Sequence, residues 1–314
     1  MKTNRIGDTD LVVSEIALGT TGIGGHNLFV NIDEVDSATT VRRAWESGVS
    51  FFDTADYYGL GRAETLLGKI LPREAVIASK GGLRWNQEGK FAGRDISPAH
   101  LRNAVTASLR RLGRDVIDLY YLHAPDGKTD IADAFGELVK MRDEGKIRYL
   151  GVSNVTLEEL EDVMEVGSVA AVQSQFSLFD RRPARSGMLA YCQAHGIAFI
   201  PYGVLAFGIL GGKYRRDFRL AEHDWRNNQA IFDRRNYPYV IAAAHRLRDK
   251  AARMGVPLTH VAIRWVLQQP AVPTALVGAK HPEQIEDNAM VTDFSLSSQE
   301  MEDIEQIVGD LRIF

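Results

Sequence analysis

Short apolar runs alternate with longer amphipathic segments along the whole chain. Eight such runs are typical of strands, and most are rich in Val, Ile and Phe, as parallel strands buried on both faces are. They span residues 15–18, 49–52, 75–78, 116–122, 147–152, 170–173, 197–202 and 275–277. Strands that alternate with helices imply βαβ units and a parallel sheet. Eight units in one chain of the α/β class favour a closed (β/α)8 TIM barrel over an open sheet.

Helix boundaries are explicit in several of the intervening segments. Ser97-Pro98 supplies an N-cap and a proline for the first helical turn, and Gly113 stands where the glycine after a helix belongs. Thr156 and Ser297 each begin a capping box. Two segments, 81–95 and 213–239, do not fit the alternation and are predicted to be long loops. Because loops that follow barrel strands build the active-site face, both are candidates for a functional role.

The length of 314 residues allows about two ordinary domains or one α/β barrel. No Pro-, Gly- or Ser-rich linker divides the chain. The sequence therefore predicts a single domain over residues 1–314, with long active-site loops and a C-terminal helix.

Charge and cysteine usage exclude several classes of function. With 37 Lys and Arg against 41 Asp and Glu, the net charge is −4, so a nucleic-acid partner is not expected. The lone Cys192 excludes an internal disulfide and Cys-based metal sites, and no metal is predicted. The sequence contains no apparent secretory signal and no apolar run of membrane-spanning length, which predicts a cytoplasmic protein without a membrane partner. The oligomeric state cannot be read from the chain.

Four polar residues stand where a barrel enzyme places its chemistry. Asp53, Lys80 and His123 each follow an apolar run directly, and Tyr58 lies five residues beyond Asp53. The carboxyl ends of barrel strands meet on one face, so these side chains are expected to converge. There, a lysine cation would stabilise a tyrosine phenolate, a carboxylate would keep the lysine charged, and an imidazole would hold a substrate oxygen.

The same residues lie within motifs that resemble the aldo-keto reductase family. Residues 52–59, FDTADYYG, are similar to its DTAxxYG signature, and Ala78-Ser79-Lys80 is similar to its strand-end lysine. Residues 122–126, LHAPD, and 151–154, GVSN, continue the match in the family's order. The resemblance covers nearly the whole chain. It implies a (β/α)8 barrel.

The resemblance also implies a role for each of the four polar residues. Tyr58 would be the general acid in reduction or the base in oxidation. Lys80 and Asp53 would tune it, and His123 would position the carbonyl oxygen.

By the same resemblance, the cofactor is a nicotinamide dinucleotide that binds without a Rossmann glycine fingerprint. The residues implied to bind it are Ser153, Asn154, Gln173, Tyr202, Leu205, Gly208, Leu210, Lys213, Lys280, Gln284, Asp287 and Asn288. Tyr202 would stack on the nicotinamide ring. NADP(H) is expected over NAD(H), because Lys280 stands near the position where NADP-preferring members carry a cation. Gln284 stands where some relatives have a second arginine.

The resemblance predicts an oxidoreductase that reduces aldehydes or ketones to alcohols by hydride transfer. Tyr57, Trp85 and Trp225 could form an aromatic wall for a small carbonyl or sugar substrate. An aldose or polyol dehydrogenase that oxidises sugars to lactones is an alternative within the enzyme class. A non-catalytic, cofactor-binding regulatory subunit is an alternative from another class.

Overall fold

A computed structural model describes residues 1–24, 32–222, 224–309 and 311. Eight parallel strands form a nearly closed barrel and are joined by hydrogen bonds in the order β7-β6-β5-β4-β3-β2-β1-β8, with β7 and β8 side by side at the seam. The strands are β1 (Ile16–Gly19), β2 (Phe51–Asp53), β3 (Val76–Gly81), β4 (Ile117–Leu122), β5 (Ile147–Ser153), β6 (Ala171–Gln175), β7 (Ala198–Tyr202) and β8 (Ala275–Gly278). The (β/α)8 barrel expected from the sequence is confirmed.

Helices surround the barrel. The longer ones are α1 (Glu34–Glu46), α2 (Arg62–Ile70), α3 (Pro98–Leu112), α4 (Ile131–Asp143), α5 (Leu157–Val166), α6 (Met188–Ala194), α7 (Tyr237–Arg253), α8 (Leu258–Leu267), α9 (Pro282–Ala289) and α10 (Ser298–Gly309). Single α-helical turns span Thr21–Gly24 and Arg182–Arg185, and 3₁₀ turns span Tyr58–Gly61, Ala206–Gly211, Trp225–Asn228, Ala230–Phe232 and Met290–Asp293. No helix in the described ranges is long and apolar enough to cross a membrane.

Alternate residues of each strand supply two separate apolar cores. Phe51 and Tyr121 belong to the cluster that fills the barrel, whereas their neighbours Phe52 and Tyr120 pack in the outer shell against the helices. This division follows from the strand period of two, which sends successive side chains to opposite faces. The residue two positions after an inward one therefore also points into the barrel.

An antiparallel hairpin closes the N-terminal end of the barrel. Its strands are Thr3–Arg5 and Val12–Ser14, and Ile6 and Leu11 between them are buried in the barrel core. The Asp8 N–H donates to the carbonyl of Gly196, just before β7. This hairpin was not predicted from the sequence.

The observed element boundaries extend and correct the sequence predictions. Several strands are longer than the apolar runs from which they were predicted, because polar residues such as Asp53 and Lys80 also pair with the neighbouring strand. Gly113 has a φ of 61° and ends α3, and Thr156 forms the predicted capping box. Ser97 makes no capping hydrogen bond, since its hydroxyl donates to Asp95 instead.

Both segments predicted to be loops contain regular structure. In the first, the strands Leu83–Trp85 and Phe91–Arg94 pair as an antiparallel hairpin. In the second, α7 already begins at Tyr237. The single domain predicted over residues 1–314 includes residues outside the described ranges and stays a prediction.

Candidate active site

The strand period places three polar side chains inside the C-terminal end of the barrel. Asp53 follows Phe51 by two positions on β2, and Lys80 follows Ala78 by two positions on β3. Gln173 stands in the same relation to an inward alanine on β6. All three side chains are buried. The structure thus brings the Asp53 and Lys80 side chains together, as expected from the sequence.

Lys80 and Asp53 form a buried ion pair. Lys80 Nζ donates to Asp53 Oδ1 at 2.5 Å and to the Thr54 carbonyl at 2.8 Å. Gln173 Nε2 donates to the other carboxylate oxygen of Asp53 at 2.8 Å. Both oxygens of the carboxylate are thus satisfied, and its orientation is fixed.

The charge on Lys80 is maintained although the side chain is buried. Burial alone lowers the pKa of a lysine, but the Asp53 carboxylate and the Tyr58 hydroxyl outweigh it, so the pKa of Lys80 is raised above its usual range. Nζ lies 5.2 Å from the centroid of the Tyr58 ring. A permanent cation therefore stands beside the phenol.

A strained turn presents Tyr58 to the pocket. Gly59, Leu60 and Gly61 have φ angles of 59°, 57° and 86°, three left-handed residues in succession. At Gly59, a Cβ atom would lie 1.6 Å from the carbonyl oxygen of Gly24, so only glycine fits there. The turn brings the chain back sharply enough for Arg62 to begin α2.

His123 lies at the end of β4, next to Tyr58. Its backbone N–H donates to the Gly81 carbonyl at 3.0 Å, and its ring meets the Tyr58 ring edge-on with 6.1 Å between centroids. Burial, reinforced by the Lys80 and Arg94 cations, lowers the pKa of His123 well below its usual range. The imidazole is therefore neutral near pH 7 and offers one N–H donor.

An amide and two hydroxyls form a second polar group across the barrel mouth. Asn154 Nδ2 donates to Ser153 Oγ at 3.0 Å and to the His123 carbonyl at 3.2 Å. The Tyr202 hydroxyl donates to Asn154 Oδ1 at 2.8 Å. Asn154 has a φ of 57°, a left-handed conformation that asparagine tolerates better than most residues.

These groups line one pocket of about 610 Å³, which we call the main pocket. Its lining includes Asp53, Tyr58 and His123 together with Ser153, Asn154, Gln173 and Tyr202. The rest of the lining includes Leu205, Phe207, Gly208, Tyr214, Trp225, Arg226, Lys280 and Gln284.

Two cations, Arg226 and Lys280, line the main pocket. Arg226 pairs with Asp224 at 2.6 Å and donates to the Tyr214 hydroxyl at 2.9 Å. Burial and then the nearby Arg226 lower the pKa of Lys280, while Asp224 acts in the opposite direction. The two cations thus repel each other, and an anion bound between them would relieve the repulsion.

Other residues from the sequence prediction lie elsewhere. Leu210, Lys213, Asp287 and Asn288 do not line the main pocket as described. Leu210 is fully buried in the outer shell, and the Asp287 carbonyl contacts His260. Gln284 lines the pocket, but its Oε1 accepts from the Lys280 N–H at the start of α9.

The three aromatic candidates for the substrate pocket separate in the structure. Tyr57 and Trp225 line the main pocket, whereas Trp85 does not. Trp85 and Phe91, both on the hairpin after β3, contact the Tyr57 ring at 6.2 and 6.0 Å between centroids.

Sequence reasoning missed several pocket residues, among them Phe207, Tyr214, Arg226 and Gln229. Arg226 directly follows Trp225 in segment 213–239, which is predicted to be a functional loop. Its position in this loop is the one feature of the sequence that indicates a role in the pocket. In the described ranges, no group of three or more His, Cys, Asp or Glu side chains could hold a metal ion.

Comparison with known proteins gives a consistent result. The model described as "Aldo/keto reductase family" matches residues 15–308. The aldo-keto reductase YhdN of Bacillus subtilis (strain 168) is 34% identical over 98% of this chain and 94% of its own length. The NADH-specific methylglyoxal reductase of Escherichia coli (strain K12) is 32% identical over 95% of each protein.

The solved structures agree. The glycerol dehydrogenase AKR11B4 from Gluconobacter oxydans superposes with a TM-score of 0.91 and 35% identity, over 99% of this chain and 96% of that one. Family match, sequence identity and fold coincide over nearly the full length. The chain belongs to the aldo/keto reductase family of oxidoreductases.

Proposed function

We propose that the protein reduces aldehydes or ketones to alcohols with a nicotinamide dinucleotide, and that Tyr58 donates the proton. The observation that carries this proposal is the buried Lys80–Asp53 pair beside the Tyr58 ring, together with a neutral imidazole in edge-on contact with the same ring. A fixed cation next to a phenol favours transfer of the phenol proton to a developing alkoxide.

The residues present fit such a cofactor. The lining of the main pocket includes Gly19, Gly22, Gly208 and Gly278, which leave space for close approach to the backbone. The same lining offers side-chain hydrogen-bonding groups for a carboxamide and two cations for a phosphate. The bound dinucleotide would supply the hydride, and Ser153, Asn154 and Gln173 would orient its carboxamide.

In this mechanism the chain's own residues position the substrate oxygen and move one proton. His123, neutral and buried, donates its N–H to the carbonyl oxygen and polarises it. Tyr58 delivers the proton to that oxygen, and the Lys80 ammonium stabilises the phenolate that remains. Asp53 holds Lys80 in place and charged. Dehydrogenation would use the same groups in reverse, with Tyr58 as base.

Tyr58→Phe tests the proposal. We expect kcat for a simple aldehyde to fall by at least about 100-fold, since general acid catalysis contributes about that much or more. The dissociation constant of the cofactor, measured by fluorescence quenching, should stay within about twofold. Tyr239→Phe is the matched control, because it removes an exposed hydroxyl on α7 and should leave kcat unchanged. Near wild-type turnover by Tyr58→Phe would refute the assignment.

We further propose that NADP(H) is preferred over NAD(H), supported by Arg226 and Lys280 on the lining of the main pocket. Arg226→Ala should raise the dissociation constant of NADPH about tenfold, because it removes a charge-assisted contact with the adenosine 2′-phosphate. The value for NADH, which lacks this phosphate, should not change. Arg235→Ala removes a similar but exposed pair with Asp233 on the same loop and serves as control. Equal weakening of both nucleotides would contradict the proposal.

Oxidation of a polyol is the second candidate. It is supported by the similarity to the protein named glycerol dehydrogenase, which covers 99% of this chain. Initial rates with carbonyl compounds and with polyols, each measured with both nucleotides, decide the preferred direction. A regulatory subunit without activity is not favoured, because the four ionisable side chains lie together. A cytoplasmic location stays a prediction from the sequence.

A further inference from the structure

A second cavity, which we call the side pocket, lies next to the main pocket and has a volume of about 360 Å³. Gln175 and Gln229 line both cavities, so the two are adjacent. The floor of the side pocket is apolar and consists of Leu178, Phe179, Ile231, Val308 and Leu311. Its rim contains three arginines from the segment after β6, namely Arg181, Arg182 and Arg185.

The charges of these arginines are only partly compensated. Arg181 pairs with Glu305 and also donates to the Val308 carbonyl. Arg182 makes two hydrogen bonds to the buried carboxylate of Asp180, at 2.8 and 2.5 Å. The guanidinium of Arg185 has no hydrogen bond or ion pair with any residue that the structure describes. The side pocket therefore carries surplus positive charge above an apolar floor.

The side pocket lies within electrostatic range of the candidate active site. Burial, and next the Tyr58 phenol, raise the pKa of Tyr202 to about 12; Arg182 and Arg94 lower it, and Asp180 raises it. Arg182 is thus within electrostatic reach of the Tyr202 hydroxyl. Arg94, held by the Pro125 carbonyl at 3.1 Å, approaches from the hairpin after β3.

The proposed cofactor does not account for these cations. Arg226 and Lys280 line the main pocket but not the side pocket, and none of Arg181, Arg182 and Arg185 lines the main pocket. A dinucleotide that uses the first pair for a phosphate leaves Arg185 without an anionic partner among the described residues. An anionic group on the other reactant would supply one.

We propose that the side pocket binds the end of the substrate remote from its carbonyl, and that this end carries a carboxylate or a phosphate monoester. The apolar floor would hold the connecting carbon chain, and Arg182 and Arg185 would hold the anion. The preferred substrate class is then an acidic aldehyde or ketone. This inference rests on the proposed reductase function and deepens it.

Matched substrate pairs test the inference. Succinic semialdehyde against butanal isolates a carboxylate, and glyceraldehyde 3-phosphate against glyceraldehyde isolates a phosphate. We expect kcat/KM for the acidic member of at least one pair to exceed that of the neutral member by about tenfold or more. The pair that shows the larger ratio identifies the anion.

Arg185→Glu links the preference to the side pocket. It is chosen over a change at Arg182, whose loss would leave the buried Asp180 carboxylate unpaired. The variant should lower kcat/KM for the acidic substrate about tenfold or more and leave the neutral one within about twofold. Arg5→Glu, on the exposed N-terminal hairpin at the opposite end of the barrel, makes the same charge change and should alter neither.

A binding titration gives a readout that needs no turnover. Succinate should bind the wild-type protein more tightly than succinamide, lose affinity as ionic strength rises from about 50 to about 500 mM, and bind Arg185→Glu about tenfold more weakly. Equal kcat/KM within both pairs together with equal binding of succinate and succinamide would overturn the inference and leave the reductase function intact. Absence of turnover with all four aldehydes, with succinate still bound through Arg185, would overturn the proposed function and support the anion site.

Discussion

Lys80→Met has the best-defined effect on the free energy of unfolding, because it removes one charge of a buried pair and leaves the other. The side chains of Lys80 and Asp53 are 1% and 4% exposed, with 2.5 Å between Nζ and Oδ1. After the change, the Asp53 carboxylate keeps the Gln173 amide as a donor but has no counter-charge. Loss of one partner of a buried pair costs about 3–5 kcal/mol, and we expect the free energy of unfolding to fall by this amount.

Addition of Asp53→Asn removes the stranded charge. Since replacing a whole buried pair by neutral groups is often near neutral, the double variant should be about 2–3 kcal/mol more stable than Lys80→Met alone. Its reductase activity should stay lost, because the phenol no longer has a cation beside it. Urea denaturation near pH 7, followed by circular dichroism, and initial rates with a simple aldehyde measure both effects. Lys140→Met, at an exposed ion pair on α4, should change stability by less than about 0.5 kcal/mol.

The pH dependence gives a further check. Because the pKa of Lys80 is raised above 10.5, its stabilising contribution is fully present below that pH and is lost only as the pH rises through the higher folded value. Wild type and Lys80→Met should therefore differ by the same free energy at about pH 7 and about pH 9. If the double variant loses as much stability as the two single variants together, the buried pair is not the source of the effect and the reasoning is refuted.

Three further outcomes are expected. Burial lowers the pKa of His123, so as the pH falls below 6.5 the unfolded chain binds a proton at this residue before the folded protein does. The free energy of unfolding of the wild type, measured in urea titrations, should therefore fall by up to about 1.4 kcal/mol per pH unit relative to His123→Asn. Gly59→Ala should destabilise the protein by more than about 2 kcal/mol and abolish turnover, whereas Gly113→Ala, with a similar φ but nothing within 4 Å, should cost only about 1 kcal/mol. Burial raises the pKa of the Cys192 thiol to about 12, so a disulfide reagent near pH 8 should react with it only in the unfolded protein.

The barrel was predictable because its strands are buried on both faces, which leaves an apolar run wherever a strand occurs. The two hairpins lack this signal. Thr3–Arg5 is three exposed residues, and Phe91–Arg94 is mostly exposed, so neither has an apolar run to detect. The N-cap of α3 shows a related limit of sequence-based prediction. Ser97 stands at the predicted N-cap position, but its hydroxyl donates to Asp95 and not to the helix.

The candidate site also contains residues that the sequence predicts and residues that it does not. Asp53, Lys80 and His123 were predictable because each stands at the carboxyl end of a strand, where the active site of a barrel enzyme lies. Arg226 comes from a loop of more than twenty residues, and its approach to Lys280 depends on how that loop folds over the barrel. Leu210 shows the converse, since a motif placed it near the cofactor while the 3₁₀ turn Ala206–Gly211 buries its side chain in the outer shell.

The N-terminal hairpin imposes an order on folding during synthesis. Residues 3–14 leave the ribosome long before the residues on which they dock. Asn4 Nδ2 donates to the carbonyl of Pro273, 269 residues away, and Asp8 reaches Gly196. Ile6 and Leu11 must therefore stay without their native burial until most of the chain has been translated, and such contacts of very large sequence separation slow folding. Only when the segments around Gly196 and Pro273 have also been synthesised can the barrel core be completed.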